Sequence, residues 1–254
     1  MTMSELWNTE TITPTGSTVV PDSTIHLDLL SDLPKLVEVN FDGARWYKST
    51  ADEGVYPSIT NVLKSTDTEG TAALKEWRNN IGHEAADNIT KYAAADGVRW
   101  HKFCESFVAR KPTWPAFEKP GDIPFGVALA ETLNAKIKRV VASETRVCSP
   151  RLGVAGRIDM CIELWDGRYA ILDFKRGKRA KTGNRLDTAA LQTTFYAEAI
   201  SDRLDRPVED VVICQLLAPN QILWQETKVS LWMPSLLDRI EKFATMVSSR
   251  LETE

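Results

Sequence analysis

The sequence predicts an α/β protein in which a mixed central β-sheet is flanked by α-helices and preceded by a helical N-terminal part. Helical periodicity dominates the first half of the 254-residue chain, and a cluster of strand-like segments follows it. One further helix and two more strands then lead to a closing helix. This order of elements is typical of helices packed against a sheet. Neither an internal repeat nor a linker is visible, so we expect one globular unit over residues 56–254.

Residues 1–55 are expected to form a lead-in and a hairpin. Residues 1–30 are polar and rich in Thr, Ser and Pro, which predicts a loosely ordered segment. Two alternating stretches, 37–41 and 44–47, flank the dipeptide Asp42-Gly43, which is typical of a two-residue hairpin turn. Ser58 follows soon after and is placed to cap a short helix.

The remaining elements follow from periodicity and from turn residues. Helices are predicted near residues 69–80, 84–109, 126–142, 187–201 and 233–252. Strands are predicted near residues 144–149, 155–164, 169–175, 210–217 and 222–229. The dipeptide Asp96-Gly97 predicts a break in the second helix, because glycine after a turn-forming acid commonly ends a helix.

Composition excludes several classes of protein. With 43% hydrophobic and 26% charged residues, the chain resembles an ordinary globular protein, and no apolar run approaches the length of a membrane span. We therefore expect no membrane partner. The first basic residue is Lys35, whereas secretory and mitochondrial signals carry basic residues near their start, so a cytoplasmic location is expected.

The four cysteines are widely scattered, and no CxxC pair occurs. Zinc ribbons and iron–sulfur sites need closely spaced thiolates, so we expect no iron–sulfur cluster. Buried free thiols are the better interpretation of all four residues, which are Cys104, Cys148, Cys161 and Cys214.

The stretch AILDFKRG, residues 170–177, combines an apolar strand with charges at its end. Side chains at i and i+2 of a strand share a face, so Asp173 and Lys175 stand side by side and Phe174 points the other way. An ion pair at a strand end is the simplest interpretation of these residues alone. A second acid on the preceding strand, Asp159, changes that assessment.

The turn between the two strands decides whether Asp159 faces Asp173. A two-residue Asp-Gly turn would pair Trp165 with Arg168 and put the two acids on opposite faces, because a one-residue slip flips every side chain. A three-residue loop at 165–167, with a left-handed Gly167, places the acids directly opposite each other.

Two facing carboxylates repel each other unless a cation lies between them. Carboxylate oxygens are natural ligands of divalent metals, so we interpret Asp159 and Asp173 as a metal site. Lys175 then fits as the group that orients a water molecule or stabilises charge that develops on a phosphate. The ion-pair interpretation leaves the second acid unexplained.

Two further pairs are suggestive and have ordinary structural explanations. His101 and Glu105 are four residues apart on a predicted helix and share a face, which raises the odds of a metal ligand only modestly. Gln192 and Tyr196 share a helical face in the same way, and helix packing explains the tyrosine equally well.

A basic segment contrasts with the net charge of −4. Such a segment attracts phosphates at short range, because salt screens charges beyond about 8 Å, although a solvated loop is the simpler interpretation of a basic run by itself. The segment covers residues 175–185 and contains no acid, and its basic residues are Lys175, Arg176, Lys178, Arg179, Lys181 and Arg185.

Together these residues resemble the PD-(D/E)XK nuclease superfamily, and within it the RecB-like exonucleases. The region around residues 56–78, with YPSITNVL and LKEWR, is similar to the mitochondrial genome maintenance exonucleases and their phage relatives. Two positions depart from the pattern, since Ile158 replaces the motif's proline and Arg176 replaces a common Thr or Ser. The four main motifs, in order over residues 97–197, are GVRWHKFCE, AGRIDM, ILDFKRG and LQTTFY.

The resemblance implies a restriction-endonuclease-like core and assigns roles to individual residues. Gln192 and Tyr196 would support the site or contact the strand, and Ser58 and Thr60 would lie near the bound strand. The basic segment would follow the nucleic-acid backbone through Arg176, Lys178, Arg179, Lys181 and Arg185. The implied catalytic and metal-binding groups are His101, Asp159, Asp173, the carbonyl of Phe174 and Lys175.

The sequence therefore predicts a metal-dependent DNA exonuclease that acts on single strands or at DNA ends, in replication, recombination or repair. Mg²⁺ suits an all-oxygen site, and a histidine ligand also accommodates Mn²⁺. Without a mitochondrial signal, a bacterial or phage-encoded protein fits better than an organellar one. The alternatives are a structure-selective or restriction-type endonuclease, and a DNA-binding module that keeps the nuclease fold without catalysis.

Overall fold

The computed structural model describes residues 3–14, 16–111, 117, 119, 121–217 and 221–251. The strands in chain order are β1 (Asn8–Ile12), β2 (His26–Leu27), β3 (Leu36–Phe41), β4 (Ala44–Ser49), β5 (Val55–Pro57), β6 (Ile137–Ser149), β7 (Val154–Leu164), β8 (Tyr169–Gly177), β9 (Asp210–Leu217) and β10 (Gln221–Lys228). The helices are α1 (Ile59–Ser65), α2 (Thr68–Ile81), α3 (His83–Val108), α4 (Asp122–Lys136), α5 (Asn184–Ser201) and α6 (Val229–Leu251).

A seven-stranded sheet organises the described residues, with the strand order β1-β10-β9-β8-β7-β6-β2. The β8–β9 and β2–β6 pairs are parallel, and the other neighbours are antiparallel. Strands β3, β4 and β5 form a separate three-stranded sheet. The predicted α/β class with a mixed sheet and flanking helices is therefore confirmed.

Helices cover both faces of the large sheet, because its central strands are apolar on both sides. On one face α3 and α4 contribute buried aromatic side chains, among them Trp100, Phe103 and Phe125. On the other face α1, α5 and α6 pack through residues such as Phe195 and Trp232. None of the helices in the described residues combines the length and the apolar character that crossing a membrane requires.

Two local predictions in the N-terminal half are confirmed. Asp42 and Gly43 both have positive φ, at 50° and 74°, as a two-residue hairpin turn requires, and they join β3 to β4. Ser58 caps α1, since its Oγ accepts a hydrogen bond from the N–H of Asn61 at 3.1 Å.

The expectation that residues 1–30 are loosely ordered is wrong for residues 8–12 and 26–27, which form strands. Strand β1 pairs along its length with β10 at one edge of the large sheet, and β2 pairs with β6 at the other edge. Polar residues hide this pairing in the sequence because an edge strand can expose both of its faces, and four of the five residues of β1 are exposed.

The predicted break at Gly97 is also wrong, because α3 is continuous from His83 to Val108. A Cβ built at Gly97 would meet the Cβ of Arg176 at 4.0 Å, so the glycine faces β8 at close range. Packing of α3 against the sheet thus overrides the local signal.

The helix predicted over 126–142 ends at Lys136, and residues 137–142 already belong to strand β6. The segment Ile137–Ala142 contains Val140 and Val141, and β-branched residues favour strands. The helical interpretation extended the apolar pattern of α4 too far.

Candidate active site

The loop between β7 and β8 has the three-residue form that the register argument requires. Leu164 N donates to Arg168 O at 2.9 Å, Gly167 N donates to Leu164 O at 3.0 Å, and Gly167 has a φ of 85°. Met160 pairs with Leu172, so the next residues of the two strands, Asp159 and Asp173, are brought close enough for their charges to interact. The prediction that the two carboxylates share one face is therefore confirmed.

Asp173 and Lys175 form a close ion pair at the end of β8. Nζ of Lys175 lies 2.8 Å from Oδ1 and 2.7 Å from Oδ2 of Asp173. Asp173 is only 2% exposed. Burial lowers the pKa of Lys175, but Asp173 and Asp159 outweigh burial and raise the pKa overall, so the side chain is an ammonium ion at neutral pH.

His101 reaches this site from helix α3. Its Nε2 donates to the carbonyl of Phe174 at 2.9 Å, and its Nδ1 lies 3.4 Å from Oδ2 of Asp159. The same Oδ2 accepts a hydrogen bond from Phe174 N at 3.1 Å. Helix α3 and strands β7 and β8 thus bring a ring nitrogen, a backbone carbonyl and two carboxylates to one place.

The ionised form of the Asp159 carboxyl group is electrostatically unfavourable. Burial and the charge of Asp173 raise its pKa to about 6, against the opposing effects of His101, Lys175 and the Phe174 N–H. Its side chain keeps 19% of its surface exposed, so the group is open to a ligand from solution. A cation placed here would remove the repulsion between the two carboxylates.

Glu144 on β6 completes a cluster that our sequence reasoning missed. One ligand atom from each of His101, Glu144 and Asp159 lies within 4.8 Å of the others. Glu144 also pairs with Arg157 at 3.1 Å, and its φ of 50° is rare for a residue other than glycine within a strand. The only sequence signal was an acid inside the apolar stretch VVASETRV, on the strand that precedes AGRID.

These residues fit a divalent metal. When Nε2 of a neutral His101 donates to Phe174 O, Nδ1 carries a lone pair that faces an Asp159 oxygen. Two lone-pair donors this close repel unless a proton or a cation lies between them. Imidazole and carboxylate groups are ligands of divalent metals, so Nδ1 of His101, Asp159 and Glu144 can hold one beside Asp173. The Phe174 carbonyl, expected as a further ligand, is bonded to Nε2 on the other side of the ring.

The pair on α5, Gln192 and Tyr196, packs against β7. Nε2 of Gln192 donates to the hydroxyl of Tyr196 at 2.9 Å, as their shared helical face predicts. Tyr196 is 3% exposed, and burial raises the pKa of its hydroxyl, with smaller contributions from Asp159 and Asp173.

Glu105, predicted to share a face with His101, lies 4.0 Å from Lys111 and is outside the three-residue cluster.

The basic segment divides into two groups. Lys178, Arg179 and Arg185 are exposed, and Lys181 is half-buried. Arg176 differs from them, because its guanidinium contacts Asp96 at 2.7 Å and the carbonyl of Leu216 at 3.1 Å, and it packs over Trp100 and Phe125. Arg176 therefore stabilises the packing of α3 on β8, and its guanidinium already has partners within the protein, unlike those of the exposed residues.

The two N-terminal residues expected near a bound strand also differ from each other. Ser58 is 2% exposed, and its hydroxyl is engaged in capping α1, whereas Thr60 is exposed. Ile59, between them, packs beside Gly156 on β7, which places the start of α1 close to the strand of Asp159. All four cysteines are buried free thiols, as predicted.

Comparison with known proteins identifies the family. None of the curated proteins compared with the chain matches it. A solved structure described as "Crystal structure of SSO0001" is 12% identical, covers 74% of this chain and 75% of that chain, and has a TM-score of 0.40, which is too low to support a conclusion. The family model of the PD-(D/E)XK nuclease superfamily matches residues 59–252, which include β7, β8 and the paired carboxylates. The chain therefore belongs to the PD-(D/E)XK nuclease superfamily, whose members cleave nucleic acids with the help of divalent metals.

Proposed function

We propose that this protein is a metal-dependent DNA exonuclease that hydrolyses phosphodiester bonds of single strands or at DNA ends. The observation that carries the proposal is the convergence of Asp159, Asp173, Lys175 and His101 at one place between α3 and the sheet. A bound Mg²⁺ or Mn²⁺ would lower the pKa of a water molecule and polarise the scissile phosphate. The pathway would be DNA replication, recombination or repair.

The chain's own residues have distinct roles in this proposal. Asp159, Asp173 and Nδ1 of His101 would hold the metal, and the Phe174 carbonyl would orient His101 through its hydrogen bond to Nε2. Lys175 stays protonated beside Asp173, so its ammonium group can orient the attacking water and stabilise the negative charge that builds up on the phosphate. Gln192 and Tyr196 keep α5 in place against this end of β7.

The exposed basic residues supply the path for the strand. Lys178 and Arg179 follow β8 directly, and Arg185 lies in the first turn of α5. Their charges can neutralise backbone phosphates, and exposed Thr60 lies at the start of α1 near β7. The preference for DNA and for ends follows from the resemblance of the four motifs to RecB-like exonucleases. The proposed location and origin, cytoplasmic and bacterial or phage-encoded, are those expected from the sequence.

Digestion of labelled substrates tests the proposal. Linear single-stranded and double-stranded DNA, labelled at either end, should be degraded with Mg²⁺ or Mn²⁺, whereas closed single-stranded circles should survive. The Asp173→Asn variant, purified in parallel, controls for contaminating nucleases. Cleavage of the circles would favour the endonuclease alternative, and binding without cleavage under either metal would favour the non-catalytic alternative.

A further inference from the structure

A row of hydrogen-bonded polar side chains crosses the sheet and begins beside Lys175. Gln215 is the partner of Lys175 in the parallel β8–β9 register. Its Nε2 donates to Oε1 of Gln225 at 2.5 Å, and Nε2 of Gln225 donates to Oγ1 of Thr9 on β1 at 3.1 Å. Gln215 is 1% exposed, so this amide is held in the protein interior by defined partners.

Gln215 also binds both backbone groups of Lys181. Its Oε1 accepts a hydrogen bond from Lys181 N at 2.5 Å, and its Nε2 donates to Lys181 O at 3.1 Å. A side-chain amide that pairs with both groups of one residue acts as a neighbouring strand would. The segment between β8 and α5 is thus fixed to the sheet at Lys181.

The backbone of Lys181 is consequently held close to the active site, because Gln215 lies beside Lys175 in the sheet. Lys181 is half-buried, whereas Lys178 and Arg179 in the same segment are exposed. Burial and the nearby charge of Lys175 lower the pKa of Lys181 to about 8, while Asp173 acts in the opposite direction. Lys175 is paired with Asp173, whereas Lys181 has no carboxylate partner among the ion pairs of the described residues.

We propose that Gln215 is a positioning residue that holds Lys181 beside Lys175, so that two ammonium groups face a phosphate of the bound strand. A half-buried ammonium beside a second one is unfavourable in the free protein, because like charges repel at short range. An anion between them removes that cost, and a phosphate supplies the charge and the acceptor oxygens. This inference rests on the nuclease function proposed above.

Substitution of Lys181 and of Gln215 tests the inference under single-turnover conditions. Lys181→Ala keeps the backbone hydrogen bonds to Gln215 and should reduce the cleavage rate or the affinity for single-stranded DNA about tenfold, since a hydrogen bond between charged groups is typically worth that much. Lys181→Arg should restore most of the loss. Gln215→Met should produce a similar loss, because the segment is released while Lys181 remains present.

A double-mutant cycle shows whether Gln215 acts through Lys181. Once Gln215→Met is present, Lys181→Ala should have little additional effect on cleavage. Thr9→Val is the matched control, because it removes the last hydrogen bond of the same row without touching Lys181 and should lower only the melting temperature. If Gln215→Met does not fold, Lys181→Ala and Lys181→Arg still decide whether the ammonium group of Lys181 acts on the bound strand.

Two results would overturn the inference while leaving the proposed function intact. Lys181→Ala could cleave and bind like the wild type while Lys175→Ala is impaired, which would mean that a single ammonium group is sufficient. The effects of Gln215→Met and Lys181→Ala could instead multiply fully, which would show that Gln215 has only a structural role. A wild-type protein that cleaves no nucleic acid would remove the proposed function and this inference together.

Discussion

At the scale of single residues, the site concentrates charge that the free protein would avoid. Asp159 is strongly perturbed, because burial and Asp173 raise its pKa from an ordinary value of 3.8 to about 6. Each unit of such a shift corresponds to about 1.4 kcal/mol, so the ionised carboxyl costs the metal-free fold roughly 1–3 kcal/mol. The metal-free protein is thereby less stable, and a bound cation would remove this cost.

The first prediction concerns Asp159→Asn without metal. The folded protein binds this proton more tightly than the unfolded chain, so the stability of the wild type should rise as pH falls from about 6 towards 4. The variant should lack this rise and should be more stable than the wild type at pH 8. Thermal melts with EDTA between pH 4 and pH 8 measure this effect.

The same variant should lose its response to metal. Added Mn²⁺ should raise the melting temperature of the wild type, because a ligand that binds only the folded state stabilises it, and should leave Asp159→Asn almost unchanged. A variant less stable than the wild type at pH 8, or one stabilised equally by Mn²⁺, would contradict the assignment of Asp159.

At the scale of elements, two glycines show how closely helices approach the sheet. A Cβ at Gly156 would lie 2.5 Å from Cε1 of Tyr196 and 3.2 Å from Cγ2 of Ile59, so β7 touches α5 and α1 at this point. A Cβ at Gly97 would meet only Arg176 Cβ, at 4.0 Å, so α3 has room for a methyl group.

The second prediction compares the same substitution at both positions. Gly97→Ala should stabilise the protein by about 0.5–1 kcal/mol, because alanine favours a helix and the space is open. Gly156→Ala should destabilise it by about 1–3 kcal/mol, since the new methyl group displaces Tyr196. Urea denaturation of both variants checks this. Equal effects of the two substitutions would mean that β7 and α5 do not pack as closely as described.

Local sequence patterns were enough to predict the elements that carry the chemistry. The Asp-Gly loop fixed the β7–β8 register, and that register placed Asp159 opposite Asp173. Long-range packing decided the features that were missed. Strand β1 depends on pairing with β10, and the continuity of α3 at Gly97 depends on β8. No local pattern contains that information.

The site shows the same limit. Glu144 joins the cluster only because β6 pairs with β7, so its sequence neighbours do not distinguish it from a solvated acid. Arg176 was grouped with the basic segment by its position in the chain, but its side chain turns away towards Asp96. A run of basic residues predicts charge, and the tertiary structure decides which charges face a ligand.

At the scale of the whole molecule, an acidic protein with a net charge of −4 is expected to bind a polyanion through one basic surface. The exposed residues of that surface are Lys178, Arg179 and Arg185. Short-range contacts of this kind release counterions, so affinity should fall steeply with salt.

The third prediction is the size of that salt dependence. Replacing Lys178, Arg179 and Arg185 with alanine should reduce the slope of log affinity against log salt by roughly 2, at about 0.7 for each phosphate contact with a single strand. Lys138→Ala is the control, since Lys138 lies on β6 outside the basic segment and pairs with Glu163 near the end of β7. Filter binding or fluorescence anisotropy over a range of salt concentrations measures the slopes. A triple variant with the wild-type slope would show that this segment does not follow the strand.

The central claim is that Lys175 performs chemistry and does not merely neutralise Asp173. Single-turnover cleavage by Lys175→Ala, measured beside its thermal melt, tests the claim most directly. The variant should still bind Mn²⁺ and single-stranded DNA, and its cleavage rate should fall about 10²–10³-fold, which is typical for the loss of one preorganised charge-stabilising group. A variant that melts far below the wild type, yet cleaves at the wild-type rate per folded molecule, would show that Lys175 is only a structural ion-pair partner.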